Sequence, residues 1–170
     1  MRFNDLLLDG YARVHDAVHA AVDGLDADEL AYRVDGETNS VAWLIWHLTR
    51  VQDDHIADVA GHRQVWLEAG WDARFGLALP PTSTGYGHSS ADVAAVRVKE
   101  SSLLVGYYDA VHERTLAYLR SLTESDLDAV VDTRWDPPVT LGVRLISVLD
   151  DDLEHVGQAA LVRGIILRRR

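Results

Sequence analysis

There is no cysteine in this chain of 170 residues and only one methionine. That absence excludes a disulfide framework, a thiolate metal cluster and a cysteine nucleophile together. Any sulfur chemistry must therefore use a thiol brought from outside. Proline is scarce as well. Four prolines against 48% hydrophobic residues place the sequence far from disordered, collagenous and low-complexity chains. No stretch of about 18 apolar residues occurs, so no membrane helix is expected. The opening Met-Arg-Phe-Asn-Asp does not lead into an apolar run followed by small residues, so no secretory signal is expected and the compartment is taken as cytoplasmic. Positive charge is in deficit. Sixteen basic against 27 acidic residues give a net charge of −11, the wrong sign for holding nucleic acid. The one basic run, Arg168-Arg169-Arg170, reads as a solvated tail.

What is present has helical period. The length suits one domain over residues 1–170, able to bury about 70% of its unfolded surface. Leu7, Tyr11, Val14, Val18 and Ala21 form one stripe of a helix from Asn4 to Gly24. A second helix is expected from Asn39 or Ser40, either a good N-cap, to Gly61, with first turns apolar nearly all round. A third starts after Ser89 or Ser90, where Ser-Ser-Ala-Asp resembles a weak capping box, and continues through Val96, Leu103, Tyr107, Val111 and Tyr118. A fourth runs from near Thr140 to Arg163-Gly164. Four helices of roughly 20 to 30 residues predict an all-α, four-helix bundle. The second and third are joined by a long connection containing Trp66, Trp71, Pro80-Pro81 and Thr82 to His88, with a short helix expected near Val65 to Ala69. Long structureless loops are rare unless functional. Ala129 to Val139 reads as extended.

Asp151-x-x-x-His155 is the most suggestive placing of a histidine. Residues four apart on a helix have Cβ atoms about 5–6 Å apart on one face, close enough to share an ion, and equally to form a simple ion pair. Asp150 and Asp152 lie about 100° to either side of Asp151, so the choice among the three is one of phase. His47 follows Trp43 and Trp46, where a packed core or rim histidine is the usual finding. It lies about seven residues from the start of its helix and His155 about nine from the end of the fourth. With a rise of 1.5 Å per residue, antiparallel packing brings the two imidazoles to one height. A three-point site then becomes possible. His15-x-x-x-His19 is a rival pair, but it falls roughly 80° and 120° from the centre of its helix's apolar stripe and reads as solvent-facing. His62 and His112 receive no role. Gly85-Tyr86-Gly87-His88 has no phosphate-binding spacing and reads on motif grounds as a turn before a helix cap. No Ser-His-Asp signature, Walker loop or dinucleotide fingerprint appears.

Four segments carry a family resemblance: Asn39-Ser-Val-Ala-Trp-Leu-Ile-Trp-His-Leu-Thr-Arg-Val-Gln-Asp-Asp-His55, Gly85-Tyr-Gly-His-Ser89, Arg134-Trp-Asp-Pro-Pro-Val-Thr-Leu-Gly142 and Asp150-Asp-Asp-Leu-Glu-His-Val-Gly-Gln158. With them the chain resembles the DinB-like four-helix-bundle superfamily, in its actinobacterial mycothiol transferase branch. The resemblance implies a metal set of one histidine early in the second helix and two ligands four apart in the last. These positions fall on His47, Asp151 and His155, which would be both metal ligands and catalytic residues. Many relatives carry histidine where Asp151 stands; the related maleylpyruvate isomerases carry an acidic residue there. The implied cofactor is a divalent ion, zinc first, with nickel or manganese also suited to nitrogen and oxygen ligands. The implied cosubstrate is mycothiol.

Two imidazoles and a carboxylate leave a position open, and coordination there ionises a thiol whose free pKa is about 8.5. The expected function is a thiol S-transferase acting on electrophilic small molecules, in a pocket roofed by the long loop. Trp43, Tyr86 and His88 are candidates for substrate contact. Asp54 either orients a ligand or forms a surface ion pair with Arg50. Two other functions compete: isomerisation or hydrolysis with metal-activated water, and a non-catalytic stress or binding protein stapled by its metal. A homodimer through helix faces is compatible with the sequence, which selects no interface.

Overall fold

In the computed structural model, which describes residues 2–170, the first apolar stripe lies where its spacing puts it. Leu7, Tyr11, Val14, Val18 and Ala21 are all buried along α1 (Phe3–Val22). A single turn, α2 (Ala27–Leu30), follows, held by a reciprocal cap between Asp26 and Glu29. In α3 (Val41–Ala60) the Ser40 side chain accepts from the Trp43 amide at 3.1 Å, and Gly61 ends the helix at φ +70°, where any other residue is strained. The long connection contains two short helices, α4 (Val65–Glu68) and α5 (Trp71–Phe75). Beyond it come α6 (Ser90–Ala95) and α7 (Ser101–Ser121). A small antiparallel ribbon, β1 (Val130–Asp132) with β2 (Val139–Thr140), occupies the segment read as extended, and Thr140 then caps α8 (Leu141–Leu167).

The third expected helix is in fact two. Its capping box at Ser89 and Asp92 forms, but the chain leaves the helix after Ala95. Val96 and Val98 are both buried while Arg97 and Lys99 are exposed. Two residues apart on a helix is about 200° of rotation, so both valines reach one core only if this stretch is extended, with its period of two. At the other end α8 runs past Gly164 because Ile166 is still buried and anchors the last turn.

Side-chain pairings fix the helix directions. His47 meets His155 and His55 meets Arg144, so α3 and α8 run antiparallel. Tyr11 bonds to the Leu145 carbonyl and Arg163 to that of Asp23, so α1 and α8 are parallel. Arg50 with Tyr107 and Gln52 with Thr115 make α3 and α7 parallel. Two parallel neighbours in the bundle cannot be joined by a tight turn; a crossover is required. The long connection is that crossover, which gives its length a structural cause. It folds back over the first turns of α3, and so Val41 to Leu48 are buried on every side. An exposed bundle helix would have shown a polar face there.

Candidate metal centre

Antiparallel packing of α3 against α8 sets the His47 and His155 rings edge to face, with centroids 4.8 Å apart. His155 Nε2 lies 3.6 Å from Asp151 Oδ1, one helical turn away. One donor atom from each of His47, Asp151 and His155 falls within 4.8 Å of the other two. His47 is only 4% exposed, whereas the Asp151 and His155 side chains keep 26% and 17%. The cluster is therefore walled on the α3 side and open along α8.

The partners of the rings decide their tautomers. The Thr84 carbonyl can only accept, so the His47 Nδ1 2.5 Å away is the protonated nitrogen and donates to it. Burial holds this imidazole down to about 4, against the pull of Thr84, so the ring is neutral at pH 7 with its Nε2 lone pair free. His155 Nδ1 donates likewise to Gln158 Oε1 at 3.3 Å, which leaves its Nε2 toward Asp151. Asp151 Oδ2 is buried without a hydrogen-bond partner, and burial raises the carboxyl's pKa above 3.8, opposed by His155 and His55. The His47 Nε2 lone pair, the His155 Nε2 and a carboxylate oxygen without a hydrogen-bond partner face one another, a nitrogen and oxygen donor set that suits a cation. The residues present thus fit a divalent ion.

The three aspartates separate by phase. Asp150 is exposed, Asp151 joins the cluster, and Asp152 turns into the core with 0% exposure and no partner for either oxygen. Burial, and then Asp151, raise the Asp152 pKa well above 3.8. Its folded form thus binds a proton more tightly than the unfolded chain. That contribution to stability is complete below about pH 4 and is lost as pH rises toward the folded pKa. Asp152→Asn, neutral at every pH, should be more stable than the wild type at pH 8 and no more stable at pH 4. Urea unfolding of the metal-free proteins reads this directly, and parallel pH profiles would refute it.

The crossover supplies a second layer. Trp43 stacks on His47 at 4.5 Å and donates from Nε1 to His88 Nδ1 at 3.0 Å, and His88 Nε2 then donates to Ser83 Oγ at 2.7 Å. Burial lowers the His88 pKa, in keeping with an acceptor nitrogen that stays unprotonated. Gly85 passes directly over the His47 ring at φ +98°, and a Cβ there would collide with His47 Nδ1 and lie 3.1 Å from Trp43. Gly85→Ala should therefore displace the Thr84 carbonyl from His47. We expect a loss of about 1–3 kcal/mol from the left-handed backbone and of about tenfold or more in metal affinity. Thermal unfolding and a zinc titration test this; an unchanged affinity would show that the loop does not orient the ring.

The remaining sequence candidates lie as follows. Trp43 is a wall of the cluster, 6% exposed. Tyr86 is 89% exposed, and His88 is half-buried with both nitrogens engaged. Asp54 accepts from Gln64 at 2.5 Å and lines a polar cleft of about 500 Å³ with His55, Asp58, Arg63, Arg134 and Arg144. No surface pair with Arg50 forms. Arg50 is fully buried, 3.6 Å from Asp53 instead, because its position on α3 faces α7 and the crossover.

Residues 7–167 match the family model described as mycothiol-S-transferase. The chain belongs to the mycothiol-S-transferase family. That family lies within the DinB-like superfamily. A crystal structure of a conserved protein from Enterococcus faecalis is similar at 32% identity over 98% of each chain, with a TM-score of 0.92. No curated protein matches. Within this mycothiol-S-transferase fold, sequence reasoning missed the residues behind the rings: Thr84, Ser83 and Gln158. Gln158, three residues after His155, had a helical-spacing signal. The loop carbonyls had none beyond the glycine beside them.

Proposed function

We propose that this single domain is a divalent-metal-dependent transferase that joins mycothiol to electrophilic small molecules, with His47, Asp151 and His155 holding the ion and zinc as the ion held. The observation that supports this reading is the approach of one donor atom from each of His47, Asp151 and His155 to within 4.8 Å of the others, with the buried Asp151 Oδ2 unpartnered and the cluster open along α8. A divalent ion bound there supplies the positive charge that ionises a thiol at neutral pH, where a free thiol of pKa about 8.5 stays mostly protonated.

The chain's own groups do the rest. The Thr84 and Gln158 oxygens keep both Nδ1 protons in place, so each ring presents Nε2 without reorganising. Trp43 closes the wall beside His47 and excludes water there. The cleft lined by Asp54, His55 and Arg144, whose His55 acts electrostatically on Asp151, offers arginine donors and aspartate acceptors to the polar body of a thiol. The family match supports a thiol substrate, and a chain without cysteine has no nucleophilic sulfur of its own. The test is a chromogenic electrophile assayed with and without mycothiol, before and after chelation. Turnover that needs both thiol and metal is expected. A rate indifferent to thiol would overturn the proposal.

A further inference from the structure

On the opposite flank of the bundle, where α1 packs against α7, a second group of nitrogen and oxygen donors converges. His15 and His19 lie one turn apart on α1, and Asp109 and His112 three residues apart on α7. Asp109 Oδ1 is 2.8 Å from His19 Nε2 and 3.2 Å from His15 Nε2. The two imidazole centroids are 4.3 Å apart, and one donor atom from each of the three residues falls within 4.8 Å of the others. The pair read from sequence as solvent-facing is half-buried against α7, because the neighbouring helix covers a flank of α1 outside its central stripe.

Two features separate this group from a plain ion pair. Both Nε2 atoms crowd the same carboxylate oxygen, whereas one histidine suffices to pair one aspartate. Moreover, a third imidazole stands behind them. His112 is 8% exposed, its ring centroid is 4.7 Å from that of His15, and its Nδ1 is buried without a hydrogen-bond partner. An orphaned buried nitrogen normally costs stability, and here it lies behind the three donors that converge, so that the His112 ring walls the group on the α7 side. Pairs spaced three or four apart on two facing helices are also the way bundles assemble metal sites.

We propose that His15, His19 and Asp109 form a second divalent-cation site of the nitrogen-rich class that takes zinc, nickel or copper, with the His112 ring packed behind it. The side chains of His15, His19 and Asp109 keep 32%, 40% and 43% exposure, so an ion reaches them from solvent without any opening of the fold. The site shares no residue with the cluster between α3 and α8. An ion there would tie α1 to α7.

The experiment is a zinc titration by calorimetry of full-length protein stripped with a chelator, with cobalt(II) absorption as a second readout. Wild type should bind two equivalents and His155→Ala one. Combining His155→Ala with His15→Ala and His19→Ala should remove that remaining equivalent, and Asp109→Asn, which keeps the side-chain shape, should weaken it at least tenfold. A stoichiometry that does not fall when His15 and His19 are replaced, in either background, overturns this site. One equivalent in the wild type, unchanged in His155→Ala and lost with His15 and His19, would instead uphold this site and remove the α3–α8 centre, so the two claims fail separately.

Discussion

On the proposed function, His155→Ala should abolish metal binding between α3 and α8 and, with it, lower thiol transfer by at least ~100-fold, beyond the 10- to 100-fold that removal of an outer-layer partner costs. Only His47 Nε2 and the Asp151 carboxylate would remain, and two ligands do not hold a divalent ion against water. The variant should fold normally, since the His155 side chain is 17% exposed and its one hydrogen bond is to Gln158 on the same helix. Gln158→Ala leaves all three ligands and removes only the acceptor that fixes Nδ1. It should therefore fall between the wild type and His155→Ala, with metal affinity lower by about tenfold. Elemental analysis of the purified variants beside the chromogenic assay with mycothiol measures both quantities. A His155→Ala protein that keeps a wild-type, thiol-dependent rate would show that the chemistry lies elsewhere on the molecule.

The helices of the bundle were legible in sequence because each buries a stripe whose period survives single substitutions, and because Ser40, Gly61 and Thr140 mark helix ends through local backbone chemistry. The level of His47 against His155 was legible for the same reason: it depends only on helix rise and antiparallel pairing. What depended on a partner from elsewhere in the chain was hidden. Arg50 read as a surface cation because charged residues on a helix usually are, and only the crossover folding back over α3 makes it a buried one. His15 and His19 lie off the stripe of α1, and nothing in that helix reveals that Asp109 and His112 wait on α7. The break after Ala95 was written in the alternation of Val96 and Val98, a two-residue period too short to stand out inside a longer helical pattern. Thr84 acts through its backbone carbonyl, so no side-chain pattern could mark it.

The largest stability effect is expected at Arg50. Its guanidinium, fully buried, donates to the Ser83 carbonyl at 3.1 Å, to Tyr107 Oη at 3.2 Å and to Gln64 Oε1 at 3.0 Å, and lies 5.0 Å over the Trp66 ring. Beneath it the Asp53 carboxylate accepts from the Val65 and Trp66 amides and from Tyr107, each at 2.8 Å, so Asp53 fastens the start of α4. Arg50→Met keeps much of the side-chain volume and deletes the charge, leaving a buried carboxylate with no counter-ion. Breaking a buried pair in this way costs about 3–5 kcal/mol. Burial already raises the Asp53 pKa, with Arg50 among the groups holding it down, so the substitution raises it further. Since the folded pKa then lies above the unfolded one, the loss should be smallest in acid and grow as pH rises through the folded value. Adding Asp53→Asn should recover part of the loss at pH 8 by removing the unpaired charge. Arg50→Lys should fall in between, because a point charge cannot serve Ser83, Tyr107 and Gln64 together. The effect should also reach the candidate metal centre, since Ser83 immediately precedes the residue whose carbonyl holds His47. Urea unfolding of the single and double variants at pH 5 and pH 8, with zinc affinity on the same samples, tests the chain of cause. A cost under about 1 kcal/mol, the range of exposed ion pairs, would mean that the crossover is fastened by its aromatic packing and not by Arg50.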